Sequence, residues 1–320
     1  MASTRREVVV QTMAAMGLAG AATAAGAMPR RALGKTGLEV SILGLGGARL
    51  GMLDDGKAAG DVIRRCFDAG VNYFDCASAG AYGLSQMRYG LALQGKRDKV
   101  IFGTKTRHRS ATQAQLDLDM SLSMLKTDYL DLYQIHNVIN EEDVKFIFGP
   151  DGVMEMVEKA RKAGKIRFVG FTGHTEPGVL NRMLELYGFS TVLMPLSAVD
   201  GSNAQKSFEK STLPLARSKG LGIIAMKALS AGQVLAKKAA SVEECLRYVW
   251  SLPVSTAILG MDQVPQVDTN VALALGAKPM TAMEAGALRR RIATAEYAGL
   301  EPWKLNRYDG SEDGLVYRAD

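Results

Sequence analysis

The chain has 320 residues, of which 47% are hydrophobic and 22% are charged, so it can bury a large core and is not a disordered protein. Its net charge is +6, but its 39 Lys and Arg residues are interspersed with 33 Asp and Glu residues. Nucleic-acid binding is therefore not expected, because a basic binding surface requires clustered cations.

The first 27 residues differ in composition from the rest of the chain. Arg5 and Arg6 are followed by Glu7 and then by an uncharged stretch rich in Ala, Gly, Met and Val, and the small residues 25–27 offer a cleavage site. This pattern resembles a twin-arginine (Tat) signal peptide, so we expect residues 1–27 to be removed when the Tat export machinery delivers the protein to the periplasm. A disordered tail and an uncleaved anchor are the alternatives.

The remaining chain predicts no stable membrane span and no disulfide framework. No later stretch reaches 18 uninterrupted apolar residues. Cys66, Cys76 and Cys245 form no C-x-x-C pair and are expected to be small core residues, which suits folding in the reducing cytoplasm before export.

From residue 40 to about residue 275, short apolar or β-branched runs alternate with longer amphipathic stretches. The predicted strands are residues 40–46, 72–76, 99–104, 129–136, 166–173, 190–196, 221–227 and 255–260. Between them, stretches such as 61–70, 111–127 and 151–165 repeat apolar residues at helical spacing and are predicted helices. This order is typical of βα units and a parallel sheet.

Eight strands that alternate with helices predict an α/β fold, a closed (β/α)8 TIM barrel. The chain from residue 28 to 320 would form this barrel, with a C-terminal extension from about residue 277 that carries a helix over 281–299 and a polar tail. An open doubly wound sheet is the competing architecture. It is disfavoured because no G-x-G-x-x-G opens a helix, and the GLGG at 44–47 lacks that spacing.

Four polar residues fall at the ends of neighbouring predicted strands: Asp75, Tyr82 in the loop that follows it, Lys105 and His136. Singly, each has an ordinary interpretation, as a turn cap, a cover for the barrel mouth, a surface charge and a core histidine. Together they indicate a site, because an Asp and a Lys that end apolar strands are costly to bury unless they pair.

The residue types in this set suit proton transfer to a carbonyl oxygen. A tyrosine has an ordinary pKa of about 10 and is a poor proton donor unless a nearby cation stabilises its phenolate. Lys105 can supply that charge, Asp75 can hold Lys105, and His136 can bind the substrate oxygen. The set cannot supply electrons, so a hydride donor is required.

Segments around these residues resemble the aldo-keto reductases over nearly all of residues 31–276: GVNYFDCASAGAYGLSQMRYGLAL, VIFGTKT, LKTDYLDLYQIHN and GKIRFVGFTGH. The resemblance implies the catalytic tetrad Asp75, Tyr82, Lys105 and His136, and a barrel that binds NADP or NAD in extended form. It implies no metal site. By position, the implied cofactor-binding residues are Gly46, Asn137, Thr172, Gly173, Met194, Met226, Lys227, Leu229, Gly232, Gly260 and Asn270.

Three features depart from the family pattern. Asp75 and Tyr82 are seven residues apart where the family usually has five, so the loop must bulge to return the tyrosine to the site. Met194 and Met226 replace a usual Gln and Tyr. Asp262 stands where many members place a cation near the adenosine 2′-phosphate, which favours NAD or weak discrimination unless a cation such as Lys278 compensates.

Three further residues receive weaker assignments. His174 is interpreted as a substrate contact or a cap, Arg49 as a substrate anchor in a loop that borders the cofactor, and His108 as a solvated loop residue.

The leading hypothesis is an exported nicotinamide-dependent oxidoreductase that acts on an aldehyde, a ketone or a sugar-like carbonyl or alcohol. The alternatives are a sugar epimerase or elimination enzyme that recycles a tightly bound cofactor, and a non-catalytic cofactor-sensing barrel. A metal-dependent hydrolase is disfavoured because the three histidines lie in separate loops.

The signal-peptide interpretation predicts that replacing Arg5 and Arg6 with Lys leaves folded, active protein in the cytoplasm, because the Tat receptor reads the arginine pair. Fractionation of cells that express a tagged chain measures this. Unchanged export of the variant would favour the general secretion route or the absence of a signal.

Overall fold

The protein is represented by a computed structural model, which describes residues 26–294 and 299–304. The predicted signal segment lies outside the described residues except for Gly26 and Ala27. The polar tail from residue 305 onward also lies outside them.

Eight parallel strands close into a barrel in the order β10-β3-β4-β5-β6-β7-β8-β9, which confirms the predicted (β/α)8 fold. The barrel strands are β3 Leu43–Gly46, β4 Tyr73–Asp75, β5 Ile101–Thr106, β6 Leu130–Ile135, β7 Ile166–Thr172, β8 Thr191–Pro195, β9 Gly222–Met226 and β10 Thr256–Gly260. Two further short strands, β1 Arg30–Ala32 and β2 Glu39–Ser41, form an antiparallel hairpin outside the barrel.

Helices surround the barrel and occupy the connections between its strands. They are α1 Gly47–Met52, α2 Gly56–Asp68, α3 Ala79–Tyr82, α4 Ser85–Ala92, α5 Ala111–Leu125, α6 Glu141–Phe148, α7 Val153–Lys162, α8 Pro177–Leu186, α9 Ala198–Ser202, α10 Thr212–Ser218, α11 Gln233–Ala236, α12 Val242–Ser251, α13 Val264–Leu275 and α14 Ala282–Ala293. Helix α14 lies in the predicted C-terminal extension. Among residues 26–294 and 299–304, no helix combines the length and the apolar character that a bilayer span requires.

The hairpin corrects the prediction of one strand over residues 40–46. The chain changes direction at Ile42, so residues 39–41 pair with β1 while residues 43–46 enter the barrel. Buried Ser41 supports this bend, because its hydroxyl donates to the Leu43 carbonyl at 2.6 Å. β1 was not predicted because its sequence, Arg-Arg-Ala, has no apolar alternation.

The inner and outer faces of the barrel strands belong to two separate cores. Leu33 and Val40 of the hairpin region pack with Tyr73 and Ile101, near the amino-terminal ends of β4 and β5, and so close that end of the barrel. The outer core lies between the strands and the helices. Because side chains alternate along a strand, every second residue faces the interior, and those near the carboxyl ends reach the open mouth.

A glycine sets the distance between α4 and α5, the helices beside the Tyr82 loop. A Cβ atom at Gly90 would lie 2.1 Å from the Met124 carbonyl oxygen, which is backbone and cannot turn aside. The close approach of the two helices therefore depends on the absence of a side chain at position 90.

We expect Gly90→Ala to lower the free energy of unfolding by about 1–3 kcal/mol, the usual cost of overpacking. Urea unfolding followed by circular dichroism measures the change. Gly178→Ala in α8 is the matched control, because a Cβ atom at Gly178 would have no neighbouring atom within 4 Å, and it should be neutral or slightly stabilising. Equal midpoints for the two variants would contradict the steric explanation.

Candidate active site

A buried ion pair joins the carboxyl ends of β4 and β5. The Nζ atom of Lys105 lies 2.5 Å from Oδ2 of Asp75 and donates a second hydrogen bond to the Cys76 carbonyl at 2.8 Å. Both side chains are fully buried. An isolated charge is very costly at such a depth, so each of these groups requires the other.

Burial and the neighbouring charges act in opposite directions on the pKa of each member of the pair. Burial disfavours the ammonium of Lys105, but the nearby Asp75 carboxylate and Tyr82 outweigh it, and the pKa of Lys105 lies above its ordinary value. Burial raises the pKa of Asp75, and Lys105 offsets only part of this rise. The lysine is therefore held in its charged form at the mouth of the barrel.

Tyr82 reaches this pair because the residues before it form a helical turn. The Ser78 carbonyl accepts hydrogen bonds from the backbone N–H groups of Ala81 and Tyr82, at 2.9 and 3.0 Å. The turn takes up the longer Asp75–Tyr82 spacing, and Lys105 Nζ lies 4.9 Å from the centroid of the Tyr82 ring. The small residues of this loop are what let it fold so tightly.

His136 completes the group from the end of β6. Its ring centroid lies 6.5 Å from that of Tyr82, and its Nδ1 atom lies 2.6 Å from Oγ1 of Thr172 at the end of β7. Burial, with smaller contributions from His174 and Lys105, holds the pKa of His136 well below its ordinary value. The imidazole is therefore neutral near pH 7.

A second histidine lies beside the first. The ring of His174 is 5.5 Å from that of His136, and its Nδ1 atom lies 2.9 Å from Oδ1 of Asn137. Burial, with Lys227 and Lys105, also lowers the pKa of His174 well below its usual range. The Nδ2 atom of Asn137 is buried and makes no hydrogen bond to any described residue, so a donor is left for a ligand.

Arg109 is a residue of this site that the sequence did not reveal. Its guanidinium donates to the carbonyls of His136 and Asn137 at 2.7 and 2.8 Å, and it pairs with Asp143. It thereby fixes the loop that carries both residues. In the sequence, it is one of several cations in a polar loop, and nothing there distinguishes it. The neighbouring His108 is half-exposed, as expected for a loop residue.

The segment after β9 folds into a tight turn. Ser230, Ala231 and Gly232 have left-handed φ values of 49°, 52° and 90°, and the N–H groups of Ser230 and Gly232 donate to the carbonyls of Lys227 and Leu229, both at 2.8 Å. The Ser230 hydroxyl is buried without a hydrogen-bond partner among the described residues. This hydroxyl can therefore serve a polar ligand, and Leu229 and Gly232 lie in the same turn.

The start of that segment is buried at the mouth. Met226 ends β9 with its side chain in the interior core, and Lys227 follows it with a φ of 59°. Burial lowers the pKa of Lys227, whose Nζ atom lies 5.1 Å from the ring centroid of Trp303.

Gly46 and Gly260 lie side by side at the ends of β3 and β10. A Cβ atom at Gly46 would lie 3.2 Å from the Leu259 carbonyl, and one at Gly260 would lie 2.9 Å from Cγ of Arg49. The two glycines keep the strand ends bare before helix α13, which contains buried Asn270. A bare backbone at a helix N-terminus suits an anionic ligand.

Arg49 does not stand alone as a substrate anchor, because it forms an ion pair with Asp262 at 3.3 Å. The Arg49 side chain is 63% exposed and that of Asp262 is 19% exposed, so Arg49 is free to change partners. The cation that accompanies Asp262 is therefore Arg49, from helix α1.

Packing explains the positions of Met194 and Gly173, two of the predicted cofactor-binding residues. Met194 is fully buried in the outer core with Val192, on the face of β8 away from interior Leu193, so its side chain points away from the mouth. Gly173 lies against α8, where a Cβ atom would be 2.2 Å from Leu180 Cδ1. We therefore omit Met194 from the proposed site.

The C-terminal segment 299–304 also packs beside the mouth, which the sequence did not predict. Trp303 is buried, and its carbonyl accepts a hydrogen bond from the Thr175 hydroxyl. The next residue, Lys304, pairs with Asp200 at 2.5 Å and with Glu301 at 2.9 Å. The sequence of residues 299–304 has no periodic pattern, so only the tertiary contacts reveal that this segment lies beside the mouth.

Comparisons with known proteins agree with this geometry. A sequence profile described as the Aldo/keto reductase family matches residues 42–244. L-galactose dehydrogenase of Arabidopsis thaliana is 29% identical over 322 residues, covering 86% of this chain and 95% of that protein.

Solved structures agree as well. The holo form of aldo-keto reductase AKR11C1 from Bacillus halodurans has a TM-score of 0.70 at 25% identity, covering 82% of this chain and 96% of that one. A putative aldo-keto reductase from Pseudomonas aeruginosa has a TM-score of 0.65 at 27% identity, covering 78% of this chain and 94% of that one. With the family profile spanning most of the barrel, the chain belongs to the aldo/keto reductase family and is an NAD(P)-dependent oxidoreductase.

Proposed function

We propose that the protein interconverts a carbonyl and an alcohol with Tyr82 as the proton donor. One observation carries this assignment: a single ammonium, Lys105 Nζ, is bound to Asp75 at 2.5 Å and lies 4.9 Å from the Tyr82 ring. A fixed positive charge beside a phenol favours the phenolate and so makes the hydroxyl a better acid.

The surrounding residues have complementary roles in reduction. The bound nicotinamide nucleotide supplies the hydride. Neutral His136, oriented by its contact with Thr172, offers its second ring nitrogen to the substrate oxygen. Tyr82 donates its proton to that oxygen as negative charge develops there, and Lys105 stabilises the phenolate that remains. Oxidation follows the same steps in reverse.

We propose a sugar-like substrate for this site. Two polar groups lie beside His136: the second nitrogen of His174, and the Nδ2 atom of Asn137, which has no hydrogen-bond partner among the described residues. Such a set suits a ligand with several hydroxyl groups better than a simple aldehyde, because each buried polar group requires a partner. The relationship to a protein named as L-galactose dehydrogenase supports the same class.

The nucleotide preference follows from Arg49 and Asp262. In the resemblance to the family, this position lies near the adenosine ribose. Asp262 can accept hydrogen bonds from ribose hydroxyls, while it repels a 2′-phosphate and draws Arg49 toward itself. We therefore propose that the enzyme uses NAD at least as well as NADP.

We also propose that the enzyme acts in the periplasm after export through the Tat route. This proposal is supported by Arg5 and Arg6 and by the uncharged segment that begins after Glu7. A folded protein can carry a nucleotide bound in the cytoplasm through that route.

Tyr82→Phe is expected to lower kcat for carbonyl reduction by ~10²- to 10⁴-fold, because it removes the positioned acid. Nucleotide affinity, measured by quenching of Trp fluorescence, should change little. Tyr129→Phe is the matched control, since Tyr129 packs under Arg97 outside the site. Full turnover by Tyr82→Phe would refute the role of Tyr82.

Asp262→Arg is expected to raise the affinity for NADP relative to NAD by about tenfold, because it replaces a repelling charge with an attracting one. Titration of both nucleotides by Trp fluorescence measures the ratio. Asp268→Arg makes the same charge change elsewhere near the start of α13 and should leave the ratio unchanged. A wild-type protein that binds NADP hundreds of times more tightly than NAD would contradict the proposed preference.

A further inference from the structure

Polar side chains that the proposed reaction does not use lie inside the barrel. We call this set the buried polar layer, and its members are Tyr73, Gln134, Thr191 and Thr256. All four are fully buried. Their hydroxyl groups and both amide atoms of Gln134 make no hydrogen bond of normal geometry with any described residue, and the same is true of Oδ1 of Asp75.

Glycines on the adjoining strands show that these side chains share one interior space. A Cβ atom at Gly103 would lie 2.4 Å from the Tyr73 hydroxyl and 3.6 Å from Nε2 of Gln134. A Cβ atom at Gly170 would lie 2.2 Å from Oγ1 of Thr191 and 3.2 Å from Cγ of Gln134. Both glycines thus leave room for polar atoms next to Gln134.

Leaving a polar group buried without a partner costs about 1–3 kcal/mol. Folded proteins usually avoid this cost by holding ordered water against such groups, and a water needs two to four polar partners. The buried polar layer offers that number within one region of the interior. These groups therefore carry hydrogen-bonding capacity that no described residue satisfies.

Gln134 is the member of the layer that acts on Asp75. Its Cα atom pairs with that of Lys105 in the β5–β6 ladder, so both side chains enter the interior side by side. Lys105 binds Oδ2 of Asp75, which leaves Oδ1 for another donor. Burial raises the pKa of that carboxyl group, and Lys105 and then the Gln134 amide lower it.

We propose that Gln134 is a positioning residue whose amide, at the interior position beside Lys105, keeps Asp75 ionised and so keeps Lys105 charged beside Tyr82. The inference rests on the proposed role of Tyr82 and adds a control on its acidity. Without this polar amide, the carboxylate is stabilised less, and the proton shared by the pair moves toward Asp75. A neutral lysine stabilises the Tyr82 phenolate less.

Other titratable groups face this set, and burial shifts the pKa of each cysteine, tyrosine and histidine among them further from neutral pH. Around Asp75, burial raises the pKa of Cys76 to about 12 and raises the pKa of Tyr73 and Tyr89 above the ordinary tyrosine value. On the other side of Lys105, burial holds the pKa of His136 and His174 well below the usual range. Arg107, Arg109 and Lys227 contribute to the positive field there.

The test compares the wild type with Gln134→Met, which keeps the length of the side chain and removes the amide. The first readout is the pH at which the Tyr82 phenolate absorbs, obtained by subtracting the titration of the same protein with Tyr82→Phe. The second is kcat and KM for reduction of 4-nitrobenzaldehyde with saturating cofactor. Thr191→Val is the matched control, because β8 lies opposite β4 in the barrel.

For Gln134→Met, we expect the phenolate to appear about one pH unit higher, with kcat about tenfold lower and KM little changed. Thr191→Val should alter neither readout. The proposal would be overturned if the Tyr82 phenolate of Gln134→Met appeared at the same pH as in the wild type. It would also be overturned if Thr191→Val shifted that pH by the same amount as Gln134→Met. If Gln134→Met does not fold, Gln134→Asn, which withdraws the amide by one methylene, should give a smaller shift in the same direction.

The two proposals fail in different ways. Full turnover by Tyr82→Phe would refute the proposed function, whereas the phenolate titration does not depend on turnover. Loss of activity in Tyr82→Phe together with a wild-type titration in Gln134→Met would refute the role of Gln134 alone.

Discussion

The buried ion pair between Asp75 and Lys105 is the constraint on which the rest of the mouth depends. Each charge is tolerated in the interior only because the other lies 2.5 Å away. Removing one partner of such a pair usually costs about 3–5 kcal/mol, because the other is left buried and unpaired. The pair also orders its surroundings: Lys105 anchors the Cys76 carbonyl, and the Ser78 N–H donates to the Lys105 carbonyl. The helical turn that carries Tyr82 begins at Ser78.

The barrel interior changes character along its axis in a way that supports this pair. The amino-terminal end is apolar and is closed by Leu33 and Val40 of the hairpin region. The carboxyl ends of β4 and β5 hold the charges of Asp75 and Lys105. The buried polar layer shares this interior and offers hydrogen-bonding groups, which reduce the cost of burying charge.

The charge state of the mouth follows from burial as much as from the types of residue. His136 and His174 are both held neutral, since each is buried and lies near cations. Lys105, equally buried, stays charged because a carboxylate contacts it directly. Lys227 lies between these cases, with burial lowering its pKa. A neutral hydrogen-bonding histidine next to a charged lysine is the combination that the proposed proton donation by Tyr82 requires.

Several contacts that shape the site join parts of the chain that are far apart in sequence. Arg109 fixes the loop after β6, Arg49 reaches Asp262 across the seam between the first and last barrel strands, and Trp303 packs against Thr175 and Lys227. Each is a polar or aromatic residue in an irregular segment. Local patterns do not report such contacts, because no periodicity connects the partners.

The sequence by itself determined the alternation of eight strands with helices, the closed barrel, and the four residues that meet at its mouth. Alternating apolar runs reflect burial on both faces of parallel strands, and the carboxyl ends of such strands necessarily converge. It did not determine that residues 40–46 split at Ile42, because β1 is polar and the pairing is decided by the barrel interior that Val40 fills.

Only the tertiary structure decided that the longer Tyr82 loop folds into a helical turn, that Met194 faces the outer core, and that Gln134 lies beside Lys105 in the barrel interior. These outcomes depend on strand register and on the space left by glycines on neighbouring strands. Both are properties of the closed barrel, and neither is encoded in any single segment.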